Sequence, residues 1–272
     1  MGRSRRNTSS DLGARVIWAL PAIAFAIFII ARGGVVFLVG VTILGIVALG
    51  ELFTMYERVR PVRLAGFLGL AGLALAAHFG GERQVLLASV SVFPALFLLT
   101  AATASGRGPT ATARMSLTLL GVFWIGFAIA HAILLRKLDH GGGVIVDLLV
   151  ATFIGDTAAY LGGRALGRRR LAPRISPNKT VEGLVIGMAA AVFAGWAAGL
   201  YQDWISHGQA ALLGLTAALV APIGDLMESQ IKRDAQTKDA GTLFGAHGGA
   251  LDRLDAAFFS LVAGYYVWLA ML

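Results

Sequence analysis

The sequence contains no cysteine and little charge. Without cysteine, neither a disulfide framework nor a thiolate metal site can form. Charged residues make up 14% of the chain and hydrophobic residues 57%, whereas a soluble domain is typically about 25% charged. Because the apolar runs approach about 20 residues, the length that a helix needs to cross a bilayer, the composition predicts an integral membrane protein.

Breaks rich in glycine, proline and charge separate the apolar segments. The pattern predicts an all-α, polytopic membrane fold of about nine transmembrane helices, at roughly 16–31, 35–50, 64–80, 85–104, 115–135, 143–162, 183–201, 209–227 and 254–272. The chain then divides into a basic N-terminal tail, a scaffold of helices and a catalytic region, at 1–15, 16–140 and 141–272. The basic tail also resembles the start of a signal peptide, but no small-residue cleavage site follows it.

The distribution of lysine and arginine predicts the orientation of these helices. With the N-terminus in the cytoplasm, 19 of the 23 basic residues fall on the cytoplasmic side and 4 on the other, which agrees with the positive-inside rule. The net charge of +8 therefore indicates topology and gives no reason to expect nucleic acid as a partner. The polar loops 163–182 and 228–253 then face the cytoplasm, where nucleotides are found. We expect a multi-pass protein of a bacterial inner membrane with a cytoplasmic active site.

Acidic residues are scarce in this chain and concentrated in one stretch. Of its fifteen Asp and Glu, six lie within residues 225–255: Asp225, Glu228, Asp234, Asp239, Asp252 and Asp255. The pairs Asp225/Glu228 and Asp252/Asp255 have a spacing of three, which places both members on one face of a helix. Oxygen-only clusters suit a hard cation such as Mg²⁺. The alternative is that these acids cap helices and form surface salt bridges.

A second polar stretch, the loop 163–182, combines glycines with six cations. Glycine lets backbone N–H groups approach a phosphate, and a helix N-terminus attracts anions. Ser176 or Thr180 suits the cap of the helix that follows, and Lys179 lies beside its start. The stretch therefore indicates a phosphate-binding loop, although a loop that only fixes topology has the same charge. Asp156 lies inside the preceding span, where a carboxylate indicates a functional site.

Glu51 is the one acidic residue of the first half that raises a similar question. It lies at the cytoplasmic end of the second predicted span. One interpretation is an interfacial carboxylate near Arg58 and Arg60. The other is a group that supports the ligands of the site.

At this point the sequence resembles the phosphatidate cytidylyltransferase family, also called CDP-diacylglycerol synthases. Its signature has the form Ser-x-x-Lys-Arg-x4-Lys-Asp-x-Gly, followed by His-Gly-Gly-x-x-Asp-Arg-x-Asp. The matching residues are Ser229, Lys232, Arg233, Lys238, Asp239, Gly241, His247, Gly248, Gly249, Asp252, Arg253 and Asp255. Upstream matches are Asp156, Tyr160, Gly163, Gly167, Ser176, Pro177, Lys179, Thr180, Glu182 and Gly183. Where many members have Pro-Gly before the histidine, this chain has Gly245-Ala246, which we expect to change loop dynamics and not activity.

The resemblance implies a reaction in which phosphatidic acid attacks the α-phosphorus of CTP, giving CDP-diacylglycerol and pyrophosphate. It implies Mg²⁺, with a second cation left open, held by Asp225 and Asp252 with Asp255 and Glu228 in or near the same set. The implied catalytic residues are Asp225, Lys232, Asp252, Arg253 and Asp255. The implied substrate-binding residues are Asp156, Tyr160, Ser176, Lys179, Ser229, Arg233, Lys238, Asp239, His247, Gly248 and Gly249. Membrane lipids are the expected surroundings, and glycine-rich spans suit either a homodimer or packing within one chain.

Two other classes of protein fit part of the pattern. A CTP-dependent polyprenol kinase, or a cytidylyltransferase for another lipid phosphate, would use the same cation and nucleotide chemistry. A cation transporter would instead place its acids at mid-membrane on broken helices, often in duplicated halves. The acids here lie at the predicted cytoplasmic edge among cations and no repeat is visible, so the sequence favours the lipid-phosphate enzyme.

Overall fold

The protein is almost entirely helical. The computed structural model describes residues 8–103, 108–241 and 248–272, with side chains from residue 20 onward. The helices are α1 Thr8–Arg32, α2 Gly34–Met55, α3 Arg63–Phe79, α4 Glu82–Ala102, α5 Ala111–Gly121, α6 Phe127–Lys137, α7 Gly141–Leu166, α8 Val181–Ala198, α9 His207–Asp234 and α10 Leu251–Met271. A π-helical turn, Val122–Gly126, joins α5 and α6 into one long helix.

Seven of the described helices are long and apolar enough to cross a membrane. They are Gly34–Met55, Glu82–Ala102, Ala111–Lys137, Gly141–Leu166, Val181–Ala198, His207–Asp234 and Leu251–Met271. Two shorter apolar helices, Leu20–Arg32 and Arg63–Phe79, lie where the first and third spans were predicted. The predicted polytopic membrane fold is confirmed, while the count of nine spans and the side of the N-terminus stay predictions.

Small residues let the helices of the second half pack closely. Gly187 of α8 faces α7: a β-carbon there would lie 2.6 Å from the carbonyl oxygen of Gly155 and 2.7 Å from Cβ of Ala159. Gly214 of α9 faces α8 in the same way, because a β-carbon there would lie 2.6 Å from the carbonyl oxygen of Ala191. Lipid gives helices little hydrophobic reason to associate, so close backbone approach at small residues is the expected source of packing energy.

Replacing Gly187 by alanine is therefore expected to destabilise the protein by about 1–3 kcal/mol, the usual cost of overpacking a close contact. Gly72→Ala is the matched control, because Gly72 is also helical and a β-carbon there meets nothing within 4 Å. Thermal unfolding in detergent should show a lower midpoint for Gly187→Ala and an unchanged or higher one for Gly72→Ala. Equal midpoints would contradict the close-packing argument.

The loop 163–182 adds one short pair of strands to a fold that is otherwise helical, as predicted. Helix α7 continues to Leu166, and an antiparallel hairpin of β1 Arg170–Ala172 and β2 Ser176–Thr180 follows. Such short strands show no alternation that would reveal them, and Pro177 argues against a strand unless it lies at an edge. The predicted cap is confirmed at Thr180, whose Oγ1 accepts a hydrogen bond of 3.1 Å from the N–H of Gly183.

Helix α9 carries the polar stretch out of the apolar region. It runs unbroken from His207 to Asp234, with Pro222 in its interior. Its first turn has a capping box, in which Ser206 and Gln209 each accept from the other's backbone N–H. The helix continues past residue 227, where the eighth span was predicted to end, and it places Asp225 through Lys232 on one continuous helix.

Candidate active site

Three carboxylates converge where α9 meets the start of α10. Ligand atoms of Asp225, Glu228 and Asp255 all lie within 4.8 Å of one another. Glu228 is 1% exposed and Asp255 is 7% exposed. The spacing of three on α9 predicted that Asp225 and Glu228 share a face, but only the contact between the two helices brings Asp255 to them. We call Asp225, Glu228 and Asp255 the carboxylate triad.

Lys232 neutralises one side of the triad. Its Nζ lies 2.5 Å from Oε2 of Glu228 and 2.8 Å from Oδ1 of Asp252. The Lys232 side chain is 16% exposed, so this ion pair is largely shielded from solvent. The other carboxylate oxygen of Glu228, Oε1, is buried and has no hydrogen-bond partner within the described residues. A buried oxygen of this kind is costly unless it meets a donor or a cation.

Asp252 lies beside Glu228 and pairs with Lys232, but it is not one of the three clustered carboxylates. Its Oδ2 accepts hydrogen bonds from the backbone N–H groups of Ala240 (2.9 Å) and Gly249 (2.7 Å), while Oδ1 accepts from Lys232. The resemblance implied that Asp252 holds a metal together with Asp225. In the structure its oxygens tie the segment before α10 to the end of α9, and its role as a metal ligand stays a prediction.

The hairpin and α7 bring two further predicted residues to the triad. The Lys179 side chain, on β2, forms an ion pair with Oδ2 of Asp225. Asp156 of α7 interacts electrostatically with Asp225, Asp255 and Lys179. On α9, the hydroxyl of Ser229 donates to Oδ1 of Asp225 at 3.5 Å. Loop 163–182 therefore belongs to the same site as the acidic stretch.

The other predicted residues that the structure describes are not members of the triad. Tyr160 is 66% exposed, one turn beyond Asp156 on α7. Arg253 is exposed on α10, and Arg233 donates from Nε to the carbonyl of Ile175 at 3.3 Å. Ser176 pairs with Ala172 in the hairpin. Lys238 and Asp239 are exposed in the segment that follows α9. Gly248 has a left-handed φ of 82°. His247 and the pair Gly245-Ala246 lie outside the described residues.

Glu51 is the residue whose contacts the sequence did not reveal. From the last turn of α2 it accepts hydrogen bonds from the backbone N–H groups of Ala250 (3.0 Å) and Leu251 (2.8 Å). Of its two interpretations, the contacts favour support of the site. The sequence did contain a hint of this contact. Ala250 lies just before a predicted helix and its side chain cannot accept a hydrogen bond, so an acceptor from elsewhere in the chain is needed to cap that helix.

The donor set of the triad fits a hard divalent cation. All three groups offer oxygen only, as Mg²⁺ prefers, and one buried acceptor, Oε1 of Glu228, has no hydrogen-bond partner in the part of the chain that the structure describes. The two flanking lysines suit a phosphate, because each is a compact positive charge with three donors. The site as a whole is therefore suited to binding and neutralising a phosphate group next to a metal ion.

Comparisons with known proteins agree with this chemistry. The model of the cytidylyltransferase family matches residues 13–271. The phosphatidate cytidylyltransferase of Bacillus subtilis is 30% identical over 267 residues, covering 94% of this chain and 97% of the relative. That of Brucella suis is 34% identical over 252 residues, covering 90% and 89%, and that of Staphylococcus aureus is 30% identical over 257 residues, covering 91% and 95%. With its charged site and a match along nearly its whole length, the chain belongs to the cytidylyltransferase family.

Proposed function

We propose that this protein is a phosphatidate cytidylyltransferase, which converts CTP and phosphatidic acid to CDP-diacylglycerol and pyrophosphate. Relatives with that name match about nine tenths of the chain at 30–34% identity. The observation that carries the proposal is the carboxylate triad between Lys179 and Lys232, where α9 meets the start of α10 in a bundle of apolar helices. The carboxylates can bind a metal ion and the lysines can bind phosphates, and we propose that these groups lie at the depth of the lipid headgroups.

The reaction needs orientation and charge neutralisation more than proton transfer. An oxygen of the lipid phosphate forms a bond to the α-phosphorus of CTP, the bond from that phosphorus to the bridging oxygen breaks, and pyrophosphate leaves with the electron pair. The attacking oxygen is already anionic, so no strong base is required. Lys179 and Lys232 hold negative charge in the site and are placed to exchange their carboxylate partners for phosphate oxygens.

Asp225, Glu228 and Asp255 would hold Mg²⁺, which when bound would clamp the phosphates and offset developing negative charge. Asp156 adds negative charge beside this set and favours a cation there. Asp252, the fourth ligand that the resemblance implies, already accepts hydrogen bonds from Lys232 and from the backbone N–H groups of Ala240 and Gly249. We therefore propose the triad as the main metal site and leave a second cation without an assigned ligand.

The exposed arginines around the hairpin suit anionic substrates. Arg164, Arg168, Arg169, Arg170 and Arg174 are all exposed, and none forms a salt bridge within the described residues. Basic residues next to a bilayer attract anionic lipid, at about 1 kcal/mol per residue near the surface. We propose that this face looks into the cytoplasm of a bacterial cell, where it meets CTP and the phosphatidic acid of the inner membrane. The predicted homodimer and the division into scaffold and catalytic region stay predictions.

Turnover by the purified protein tests the proposal directly. Protein reconstituted in lipid with Mg²⁺ is given each nucleoside triphosphate in turn, with phosphatidic acid or a polyprenol as acceptor. We expect CDP-diacylglycerol and an equal amount of pyrophosphate with phosphatidic acid and a cytidine nucleotide, and removal of Mg²⁺ by a chelator should abolish both. Transfer of phosphate to the polyprenol, or no product from folded protein, would overturn the assignment.

A further inference from the structure

The C-terminal end of α2 holds the start of a helix from the other half of the chain. The carboxylate of Glu51 accepts hydrogen bonds from the backbone N–H groups of Ala250 and Leu251, 199 and 200 residues further along the chain. Ala250 precedes α10 and Leu251 is its first residue. Glu51 therefore satisfies N–H groups that have no partner inside their own helix.

Helix α10 depends on this contact because it has no cap of its own. Its N-cap residue is Ala250, which makes no side-chain cap hydrogen bond. Serine, threonine, aspartate or asparagine would normally supply the acceptor at this place. Glu51 supplies it from α2, and its negative charge also lies at the positive end of the α10 dipole.

The residues on both sides of 242–247 pack against the same carboxylate. A β-carbon added at Gly241 or at Gly249 would collide with the carboxylate oxygens of Glu51. The N–H of Gly249 is at the same time bonded to Oδ2 of Asp252. Two acids from different helices, Glu51 and Asp252, thus hold adjacent backbone N–H groups at the entry to α10.

The end of α2 also contacts α9 beside the site. The hydroxyl of Tyr56 donates to the carbonyl of Ile231 at 2.9 Å, next to Lys232 in the chain. Burial, followed by the negative charge of Asp234, raises the pKa of the Tyr56 hydroxyl, so it remains protonated and a donor. Glu51 at the end of α2 and Tyr56 just after it therefore contact both helices of the site. Tyr56 bonds to α9 beside Lys232, and Glu51 bonds to the start of α10 beside Asp252.

We propose that Glu51 is a positioning residue for the cytidylyl transfer, an inference that rests on the proposed function. By fixing the first turn of α10, it sets where Asp252 and Asp255 stand relative to Lys232 and Asp225. Its own oxygens are occupied by backbone N–H groups, so it acts through these residues and does not touch substrate. Reactions that depend on orientation are sensitive to such support, because a misplacement of about 1 Å can cost a hundredfold in rate.

Glu51→Gln tests this role with little change in side-chain size. The amide keeps one acceptor but points an N–H₂ group at a backbone N–H that needs an acceptor. We expect kcat to fall about 10–100-fold, as for other groups that orient metal ligands. The Mg²⁺ concentration for half-maximal activity should rise, and the KM for CTP should change far less than kcat. Glu57→Gln is the control: Glu57 is exposed in the short turn after α2, and wild-type kinetics are expected.

Gly249→Ala tests the same contact from the opposite side. Gly249→Ala should reproduce the loss of kcat, because its β-carbon would displace the Glu51 carboxylate. Adding Glu51→Ala should cause no further loss, because both substitutions remove the same contact with the start of α10. Strictly additive losses would overturn the proposal. So would a Glu51→Gln protein that is less stable yet keeps wild-type kcat per folded molecule and the wild-type Mg²⁺ requirement, since that is what a purely structural role predicts.

A direct measurement of Mg²⁺ binding separates this proposal from the proposed function. Titration calorimetry on the wild type and Glu51→Gln should show weaker binding in the variant, whether or not the protein turns over CTP. Equal affinities would overturn the positioning role even in an active enzyme. An inactive wild type in which Glu51→Gln still weakens Mg²⁺ binding would refute the reaction and leave the positioning role intact.

Discussion

Replacing Asp225 by asparagine is expected to lower kcat by about a thousandfold, because metal ions supply several kcal/mol of charge stabilisation and each 1.36 kcal/mol is tenfold in rate. Asp225 links the triad to the hairpin side of the site: it faces Glu228 and Asp255, pairs with Lys179 of β2 and accepts from Ser229. Asparagine keeps the shape but removes the negative charge that would hold a cation and Lys179. The measurement is steady-state formation of CDP-diacylglycerol over a range of Mg²⁺ concentrations.

Asp234→Asn is the matched control for this substitution. Asp234 lies on the same helix beyond the triad, is exposed, and accepts a hydrogen bond from Gln230 that asparagine can keep. We expect wild-type turnover from it. An Asp225→Asn enzyme within tenfold of the wild type, with an unchanged Mg²⁺ requirement, would remove Asp225 from the metal site and leave the reaction itself standing.

Replacing Lys232 by methionine is expected to lower both activity and stability. The variant leaves the buried carboxylate of Glu228 and the nearly buried one of Asp252 without their cation. Removing one partner of a buried ion pair typically costs about 3–5 kcal/mol. Turnover should fall in parallel, since Lys232 is also a proposed phosphate contact. The midpoint of thermal unfolding in detergent, measured beside activity, reports the two effects separately.

The double variant Glu228→Gln/Lys232→Met shows why Lys232→Met is destabilising. The cause is either a buried carboxylate left without its cation or the loss of packing around the lysine side chain. Removing the second charge takes away the cost of an unpaired carboxylate, so the double variant should be more stable than Lys232→Met alone while remaining inactive. If its unfolding midpoint is no higher than that of the single variant, the destabilisation does not come from the buried, uncompensated charge of Glu228, and the ion pair contributes less than we expect.

Much of the architecture followed from local patterns in the chain. Apolar segments of membrane-spanning length predicted the helices, because a bilayer requires backbone hydrogen bonds to be satisfied within each span. The spacing of Asp225 and Glu228 predicted a shared helix face, and the structure confirms it. Membership of the family followed from the motif between residues 225 and 255. These features depend on residues close together in the sequence, where composition and helical period carry the information.

The composition of the site depended on contacts between distant segments. The spacing of Asp252 and Asp255 does not decide which of them lies next to Asp225, since both are near one face of α10. In the structure, two backbone N–H groups donate to Asp252, and Asp255 lies beside Asp225. The hairpin that brings Lys179 to Asp225 has no strand pattern to reveal it.

By itself, then, the sequence determined the helical membrane fold, the location of the charged site and the family. The tertiary structure decided which carboxylates lie together, and it placed Glu51 at the start of α10. The physical reason is that hydropathy records how apolar a helix is but not which helix lies beside it. In lipid that choice is made by close packing at small residues and by single polar contacts.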